Sequence, residues 1–308
     1  MTDKIMRKIN WKSKSLNYAM MAMLVTAWGF EYIVAKSALD NVQPLTLVFF
    51  KYSIAAVILL AVKLVRDRRF PFQRRDIPFF FLCAVFGDVL YFYGEYNAMS
   101  YMPISLVTIV LAFVPAVSIL AEFIVYRTKP TPAILIGIFV CIVGVMLVVG
   151  ADVQQLAGGR VFGYLLAFMA VISWNVYNFI TARMTGDYTP LDLTLYQLIA
   201  AMLVVLPYAL FRLPPPELVD KSLVFSVFYL AAVSSAFGFL VYVNALRAIG
   251  VTPAALFSNM LPVTSAFFGW LFLGELISPL QIAGGAIVVV SGSIVIWLKG
   301  KDPGAAIH

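Results

Sequence analysis

The sequence predicts an all-α polytopic membrane protein, built from ten transmembrane helices that form two inverted five-helix repeats with both termini in the cytoplasm. Three observations lead to this fold class. The composition is 62% hydrophobic and 12% charged, with a mean hydropathy of +0.94, which excludes an ordinary soluble domain. Apolar segments of spanning length follow one another with short connections. Landmark residues of the first half recur in the second half.

Each predicted helix is a stretch of about 20 mostly apolar residues, the length that crosses the hydrocarbon core of a bilayer. The basic N-terminal segment and helix 1 carry no small-residue cleavage pattern, so we expect helix 1 to be a retained span and not a signal peptide. The ten predicted helices cover residues 16–36, 44–65, 77–99, 103–126, 132–150, 161–183, 190–211, 223–247, 253–275 and 279–298.

The net charge of +7 predicts orientation in the membrane and not nucleic-acid binding. Of the 22 Lys and Arg residues, 17 fall on the side that holds the N-terminus, 4 fall on the opposite side and Lys51 lies within a span. Basic residues concentrate in the cytoplasmic segments of membrane proteins. We therefore expect both termini in the cytoplasm and the chain in the inner cell membrane, with the lipid bilayer and no nucleic acid as its partner.

An internal repeat organises the chain. Adding 147 to the numbering takes Pro115 to Pro262, and we expect both prolines to kink their helices, 4 and 9. The sequence thus predicts two five-helix repeats, residues 1–150 and residues 151–308. Because five is odd, the second repeat crosses the membrane in the opposite orientation. Inverted repeats are typical of secondary transporters, which bind substrate at the repeat interface.

Two acids lie inside the apolar stretch of predicted helix 3. Asp88 and Glu95 are seven residues apart, which predicts that they share one helical face with Tyr91 between them. Ionisable residues at membrane depth usually face the bundle interior or a water-filled cavity. We expect both acids to form one wall of a substrate site, with Asp88 the more important. In the alternative interpretation both are structural hydrogen-bonding groups.

Further polar and aromatic residues gather on predicted helices 1, 2, 6, 8 and 9. Aromatic faces beside carboxylates suit a cationic or zwitterionic amine, through cation–π attraction and a desolvated counter-charge. In the alternative, the tryptophans pack and the polar groups hold the helices together. Lys51 is either a counter-ion for Glu31 or Glu95 or the partner of a substrate carboxylate. The predicted substrate site comprises Trp28, Glu31, Tyr32, Lys51, Asp88, Tyr91, Glu95, Trp174, Asn175, Asn178, Tyr242, Ser258 and Asn259.

The sequence offers no pattern that supports enzyme chemistry. The single histidine is His308, and no group of His, Cys or acidic residues has the spacing of a metal site. A Gly-rich phosphate loop and a nucleophile motif are likewise missing from the sequence. Cys83 and Cys141 both fall within predicted helices, so we expect packing cysteines and no disulfide. We therefore predict a protein that is not an enzyme and needs neither metal nor cofactor.

The second half resembles a known family. The resemblance rests on Asn244-Ala245-Leu246, Thr252-Pro253-Ala254-Ala255, Pro262, Leu273-Gly274-Glu275 and Gln281-Ile282-Ala283-Gly284, together with Trp28-Gly29, Lys36 and Trp174. These residues resemble the EamA repeat of the drug/metabolite transporter superfamily, in its ten-helix branch. The resemblance implies that helices 3–4 and 8–9 form moving gates, that helices 1 and 6 help to line the cavity, and that helices 5 and 10 lie at the periphery.

The chain departs from the family pattern at several positions. Thr128 stands where the first repeat would carry the equivalent of Glu275, and Asn175 replaces a glycine that is usual in the family. Asp88 and Glu95 are not family landmarks. These two acids therefore point to a role that is particular to the substrate or the coupling of this chain.

Together, the residues and the resemblance predict a secondary transporter that exports a small polar organic metabolite, an amino acid or an amine, by alternating access. The alternative within this class is a multidrug or nucleoside exporter. The alternative from another class is a non-transporting membrane scaffold or receptor. The sequence leaves open the substrate, proton coupling and the choice between a monomer and a homodimer.

Overall fold

The computed structural model of the chain describes residues 14–66, 68–126, 131–150, 160–249, 257 and 259–300. Within these ranges the regular structure is helical and contains no strand, so the predicted all-α class is confirmed. The helices are α1 (Lys14–Leu39), α2 (Pro44–Arg66), α3 (Ile77–Cys83, Ala84–Leu90 and Tyr91–Ala98), α4 (Ile104–Leu111 and Val114–Tyr126), α5 (Pro132–Gly150), α6 (Arg160–Met184), α7 (Pro190–Leu210), α8 (Lys221–Tyr229, Leu230–Phe237 and Gly238–Ile249), α9 (Leu261–Leu273) and α10 (Pro279–Gly300).

The helices have the length and composition of membrane spans. Seven of those described, α1 to α4 and α6 to α8, are long and apolar enough to cross a bilayer. The other three are apolar over shorter stretches, Pro132–Leu147, Leu261–Leu273 and Pro279–Val295. In a bilayer the backbone must satisfy its own hydrogen bonds, which a helix achieves within itself. The chain is therefore a polytopic membrane protein.

Side-chain packing joins the helices in pairs. α1 packs along α9, α2 along α7, α3 along α6, and α5 along α10. Glycine permits the closest of these approaches, because a Cβ on Gly144 would lie 2.9 Å from the carbonyl oxygen of Gly284. α5 and α10 contact mainly each other and α4. Helices α1, α3, α4, α6, α8 and α9 surround the centre of the bundle.

Two π-helical stretches, Ala84–Leu90 in α3 and Leu230–Phe237 in α8, interrupt the α-helical winding at mid-helix. A π turn contains more residues than an α turn, so it shifts the angular position of every residue on one side of it. As a result Glu95 faces the central cavity described below, whereas Asp88 faces Tyr52 of α2. The prediction that Asp88 and Glu95 share one helical face is therefore wrong.

The two symmetric prolines each follow a break in a helix. Ala112 and Phe113 form a turn directly before the segment that contains Pro115. Asn259 and Met260 form a turn in the same relation to Pro262, and α9 begins after it. Proline lacks an N–H donor and disfavours helical conformation in the residue before it. The predicted kink is confirmed at Pro115, whereas most residues before the second turn lie outside the described part of the chain.

Candidate central site

A cavity of about 100 Å³ lies at the centre of the bundle, between α1, α3, α4, α6, α8 and α9. Most of its walls are aromatic or aliphatic, and two of its side chains are carboxylates. It is lined by Trp28, Glu31, Tyr32, Tyr91, Phe92, Glu95, Thr108, Leu111, Ala112, Val114, Pro115, Ser118, Trp174, Asn178, Phe239, Tyr242, Asn259 and Leu261.

Most residues of the predicted site meet at this cavity. Those that line it are Trp28, Glu31, Tyr32, Tyr91, Glu95, Trp174, Asn178, Tyr242 and Asn259. Lys51, Asp88 and Asn175 are buried behind the lining. Ser258 lies outside the described residues.

Glu95 lines the cavity, and the protein holds one of its two carboxylate oxygens by hydrogen bonds. This oxygen, Oε1, accepts hydrogen bonds from the hydroxyl groups of Tyr32 (2.6 Å) and Tyr91 (2.7 Å). The two phenols come from different helices, α1 and α3, so they fix the carboxylate at the point where these helices meet. Oε2 accepts no hydrogen bond from the described residues. Glu95 is therefore oriented by the protein and still able to bind a ligand.

Lys51 is a buried counter-ion and not part of the cavity wall. Its ammonium group lies 3.4 Å from Oε1 of Glu31 and 2.8 Å from the hydroxyl of Tyr96. The same group stands 3.3 Å from the ring centroid of Phe92. Its side chain is fully buried, so Phe92 and Glu31 separate it from the cavity. Of the two interpretations of Lys51, the geometry favours the counter-ion for Glu31.

Aromatic rings from three helices form the opposite wall. Tyr242 of α8 packs against Trp28 and Trp174, with ring centroids 5.6 and 5.7 Å apart. Its hydroxyl donates a 3.1 Å hydrogen bond to Asn178. The indole N–H of Trp28 donates to the carbonyl of Ser234, in the π-helical stretch of α8. The ring faces and edges are thus held in place with their polar atoms satisfied.

Asn175 points away from the cavity towards backbone. Its amide nitrogen donates to the carbonyl of Val171 (2.9 Å) and to that of Val114 (3.4 Å), which ties α6 to α4. Predicted as a site residue, Asn175 instead joins two helices, as the hydrogen-bonding alternative describes.

The cavity chemistry favours a positively charged group. Two carboxylates, Glu31 and Glu95, line it, and no Lys or Arg belongs to the lining among the described residues. Lys51 balances one of the two negative charges from behind. A cation in the cavity would therefore meet an unbalanced carboxylate and the faces of several aromatic rings, both of which attract it. Three side chains suitable for metal binding do not come together anywhere in the described part of the chain.

Glu275 connects three helices at one end of the bundle. Gly274 ends α9 in the left-handed conformation, at φ 63°, which glycine adopts at little cost. This turn brings the Glu275 carboxylate over the first turn of α4, where it accepts hydrogen bonds from the N–H groups of Ile104 (2.9 Å) and Ser105 (3.2 Å). Lys36 of α1 lies 3.6 Å away. Since a helix N-terminus attracts negative charge, this carboxylate joins α9 to α4 and α1.

A second set of polar contacts lies at the other end of α2 and α7. Lys63 and Asp192 form a buried ion pair at 2.6 Å. Nearby, the hydroxyl of Tyr188 donates a 2.6 Å hydrogen bond to Asp76. Burial and this hydrogen bond raise the pKa of Tyr188 to about 12. In the sequence, Lys63 is one of the basic residues that predict the orientation of the chain in the membrane. In the structure it also joins α2 to α7.

Several lining residues carry no sequence signal of a site. In the sequence, nothing distinguishes Leu111, Ala112 and Val114 from the other apolar residues of a membrane span. Phe239 is likewise one of many aromatic residues. They reach the cavity because α4 breaks before Pro115 and because α8 contains a π turn. The proline was a usable signal for α4, whereas the sequence gives no comparable signal for Phe239.

The chain is similar in sequence to a family of transporters. The model of the EamA-like transporter family matches residues 16–150 and, separately, residues 161–298. An uncharacterized transporter of Archaeoglobus fulgidus is 21% identical over 284 residues, 91% of this chain and 98% of the relative. A probable terminal-alkyne amino-acid exporter of Streptantibioticus cattleyicolor is 24% identical over 282 residues, 89% of this chain and 91% of the relative.

A protein of known crystal structure shares the fold. It is 18% identical in sequence and superimposes with a TM-score of 0.69, over 94% of this chain and 99% of that chain. At this level of identity the likeness concerns the arrangement of the helices and not the substrate.

Proposed function

Because the chain belongs to the EamA-like transporter family, we propose that it is a secondary transporter that exports a small amine or amino acid through the central cavity. The family and the transporters among the relatives indicate a transporter rather than an enzyme. The substrate class is the finer part of the proposal, and it rests on the chemistry of the cavity.

The observation that carries the substrate class is the pairing of Glu95 with an aromatic wall. Glu95 lines the cavity with one oxygen that accepts no hydrogen bond from the described residues, and the rings of Trp28, Trp174 and Tyr242 line the same space. An ammonium group would gain a charge-assisted hydrogen bond and cation–π attraction there, the latter worth about 0.5–2 kcal/mol. A phosphorylated substrate would instead need basic residues in the lining.

An amino acid also needs a partner for its carboxylate. The neutral donors that line the cavity are Asn178 and Ser118. The amide nitrogen of Asn259 already donates to Val289 and Ser293, and Lys51 pairs with Glu31. The printed name of the Streptantibioticus cattleyicolor relative describes an amino-acid exporter, which supports keeping amino acids in the proposed class beside simple amines.

We further propose that the chain consists of two inverted repeats, residues 1–150 and residues 151–308. Two features support this division. The family model matches each half separately. The π-helical stretches Ala84–Leu90 and Leu230–Phe237 stand at positions about 147 residues apart, as do the turns before the two symmetric prolines.

The proposed orientation places both termini in the cytoplasm and the chain in the inner membrane. The distribution of basic residues supports this orientation. A cysteine at Arg69, in the connection between α2 and α3, is expected to label from the cytoplasmic side. One at Leu213, which is 53% exposed between α7 and α8, is expected to label from the outside. Labelling from the opposite sides would reverse the assignment of inside and outside.

Transport would proceed by alternating access, with the α3–α4 and α8–α9 hairpins as the gates. In the proposed orientation, the contacts of Glu275 with α4 lie at the outer end. The cavity then extends to Ser118 and Asn259, in the half of the membrane towards the cytoplasm. This arrangement suits a state that is closed to the outside and able to load substrate from within. Proton coupling, and a monomeric or homodimeric assembly, are compatible with this scheme.

The deciding experiment combines binding and flux. The purified protein would be heated with a panel of monoamines, polyamines, amino acids and nucleosides, and compounds that raise the unfolding temperature would then be tested for flux in proteoliposomes. We expect amines or amino acids to stabilise the protein and to cross the membrane. Stabilisation by nucleosides or bulky drugs would favour the multidrug or nucleoside exporter, and binding without flux for every compound would favour a receptor or scaffold.

A further inference from the structure

Asp88 is a buried acid without an ionic partner among the described residues. Its side chain is 1% exposed, and its Oδ2 atom has no hydrogen-bond partner there. It lies in the π-helical stretch of α3, where Gly87 allows α6 to approach so closely that a Cβ on Gly87 would fall 2.2 Å from the Tyr177 ring. Acids at membrane depth normally pair with a charge or a donor. Asp88 therefore needs an explanation.

The surroundings of Asp88 contain one charged group and several weak donors. From α2, the Lys51 ammonium and the Tyr52 hydroxyl interact with the carboxylate, as do Cys83 of α3 and Tyr177 of α6. From α7, the uncharged Gln197 binds Tyr177, Thr181 and Cys83. The Tyr52 hydroxyl is also buried without a hydrogen-bond partner in the described structure. The Tyr52 hydroxyl and the Asp88 carboxylate therefore face each other, while Oδ2 of Asp88 lies beyond normal hydrogen-bond length of any described donor.

Charge counting shows why this space should hold a cation. Three buried carboxylates, Glu31, Glu95 and Asp88, surround the single ammonium of Lys51. Fully ionised, the group carries a net charge of −2 in a low-dielectric interior, which is strongly unfavourable. Glu31 pairs with Lys51 and Glu95 accepts two phenol hydrogen bonds. Lys51 and Tyr52 also interact with Asp88, but Asp88 forms no ion pair among the described contacts and its Oδ2 atom has no hydrogen-bond partner there. It is therefore the least compensated of the three carboxylates and has most to gain from binding a cation.

We propose that Asp88 binds a proton at a site separate from the substrate cavity, and that this proton is the coupling ion of the transporter. Protonation forms an O–H bond on the Asp88 carboxyl and removes one of the three buried negative charges. The neutral carboxyl can donate to the Tyr52 hydroxyl, whereas in the ionised state the phenol donates to the carboxylate. A metal cation such as Na⁺ fits less well, because it would require several oxygen ligands around the carboxylate. The description as a coupling ion rests on the proposed transport function, whereas the proton site itself does not.

Lys51 links the two sites electrostatically. It interacts with Asp88 as well as with Glu31 and Glu95. A positively charged substrate at Glu95 and a proton on Asp88 would each neutralise part of the negative charge of the same cluster of carboxylates. Once one is bound, the cluster attracts the other less strongly. Binding of one therefore opposes binding of the other, which is the relation that an exchange of substrate for proton requires.

Infrared spectroscopy of the full-length protein tests the proton site without any substrate. A buried protonated carboxyl gives a C=O band that disappears when the pH is raised. We expect this band in the wild type, and we expect biosynthetic labelling with [4-¹³C]aspartate to shift it, because Asp88 is an aspartate while Glu31 and Glu95 are not. The proposal would be overturned if the aspartate label did not shift the band, or if no such band were present. This measurement needs no variant that must fold.

Variants assign the band to one residue. Asp88→Asn should remove it, whereas the matched substitution Asp192→Asn, at an acid that is paired with Lys63, should leave it. Tyr52→Phe should change the pH at which the band disappears. Persistence of the band in a folded Asp88→Asn protein would contradict the assignment. The unfolding temperature should not depend on Na⁺. If NaCl stabilised the wild type, choline chloride did not, and Asp88→Asn removed the effect, the site would bind Na⁺ and the proposal would be overturned.

Failure of the proton site and failure of the proposed function give different results. Amine flux that does not depend on pH, together with the absence of the aspartate band, would leave the transporter intact and remove the proton site. A normal aspartate band in a protein that transports nothing would leave the proton site and remove its role in coupling.

Discussion

Oε2 of Glu275 accepts both the backbone N–H and the hydroxyl group of Ser105, at 3.2 and 2.5 Å. The two residues are 170 positions apart, in different halves of the chain. Their contact connects the end of α9 to the start of α4, the two helices that also contribute the breaks before Pro115 and Pro262. Opening this end of the cavity would require the contact to separate.

Under the proposed alternating-access scheme, replacing Glu275 with alanine should therefore favour opening of this end of the cavity. Hydrogen bonds to a charged group contribute about 1.5–3 kcal/mol each in favourable cases, so a net loss of about 1.4 kcal/mol would shift the open population roughly tenfold. Spin labels at the exposed residues Tyr101 and Leu276 would report the distance between the α3–α4 and α9–α10 connections. The control is Glu217→Ala, in an exposed connection. Identical distance distributions in the wild type and Glu275→Ala would contradict the role of this contact.

Replacing Glu95 with glutamine should weaken binding of an amine about tenfold or more, because the charge that faces the cavity is lost. Asp88→Asn should weaken it less, since Asp88 lies behind the lining. This order reverses the one expected from the sequence. The measurement is a thermal-shift titration with an amine that binds the wild type, and Glu217→Gln serves as the surface control. A larger effect for Asp88→Asn would return that residue to the substrate wall.

Lys51 and Glu31 should behave as a coupled pair. Lys51→Met leaves the Glu31 carboxylate without its counter-ion and should destabilise the fold by about 3–5 kcal/mol, the range for breaking a buried ion pair. Glu31→Gln in the same protein should recover part of this loss. Thermal unfolding of both single variants and of the double variant completes a cycle. Simple additivity of the two effects would mean that the 3.4 Å contact contributes no interaction energy.

Tyr188→Phe should lower the unfolding temperature at neutral pH, because the hydrogen bond to Asp76 is lost at a cost of about 1–2 kcal/mol. The pKa of Tyr188 is raised to about 12 in the fold, above the reference value near 10. The stabilising effect of the hydroxyl is therefore complete below about pH 10 and declines as the pH rises towards 12. Unfolding curves over this range check the prediction. A wild-type advantage that grows with alkaline pH would contradict it.

The sequence determined the membrane fold without any tertiary contact. Helices α1, α2 and α6 begin and end within three residues of their predicted limits, because length and hydrophobicity are local properties that a bilayer selects directly. The sequence also indicated that Trp28, Glu31, Glu95 and Tyr242 belong together. Polar residues inside a membrane span are unfavourable in contact with lipid, so they usually face the centre of the bundle.

Tertiary structure decided how the charges divide among the buried groups. The sequence allowed Lys51 to pair with either Glu31 or Glu95. It also predicted that Asp88 shares a helical face with Glu95. The pairing of Lys51 with Glu31 depends on how α1, α2 and α3 pack. The position of Asp88 depends on the π turn in α3, next to the point where Gly87 packs against the Tyr177 ring. Hydrophobic periodicity assumes a constant helical phase, and so it cannot locate a residue once that phase has changed.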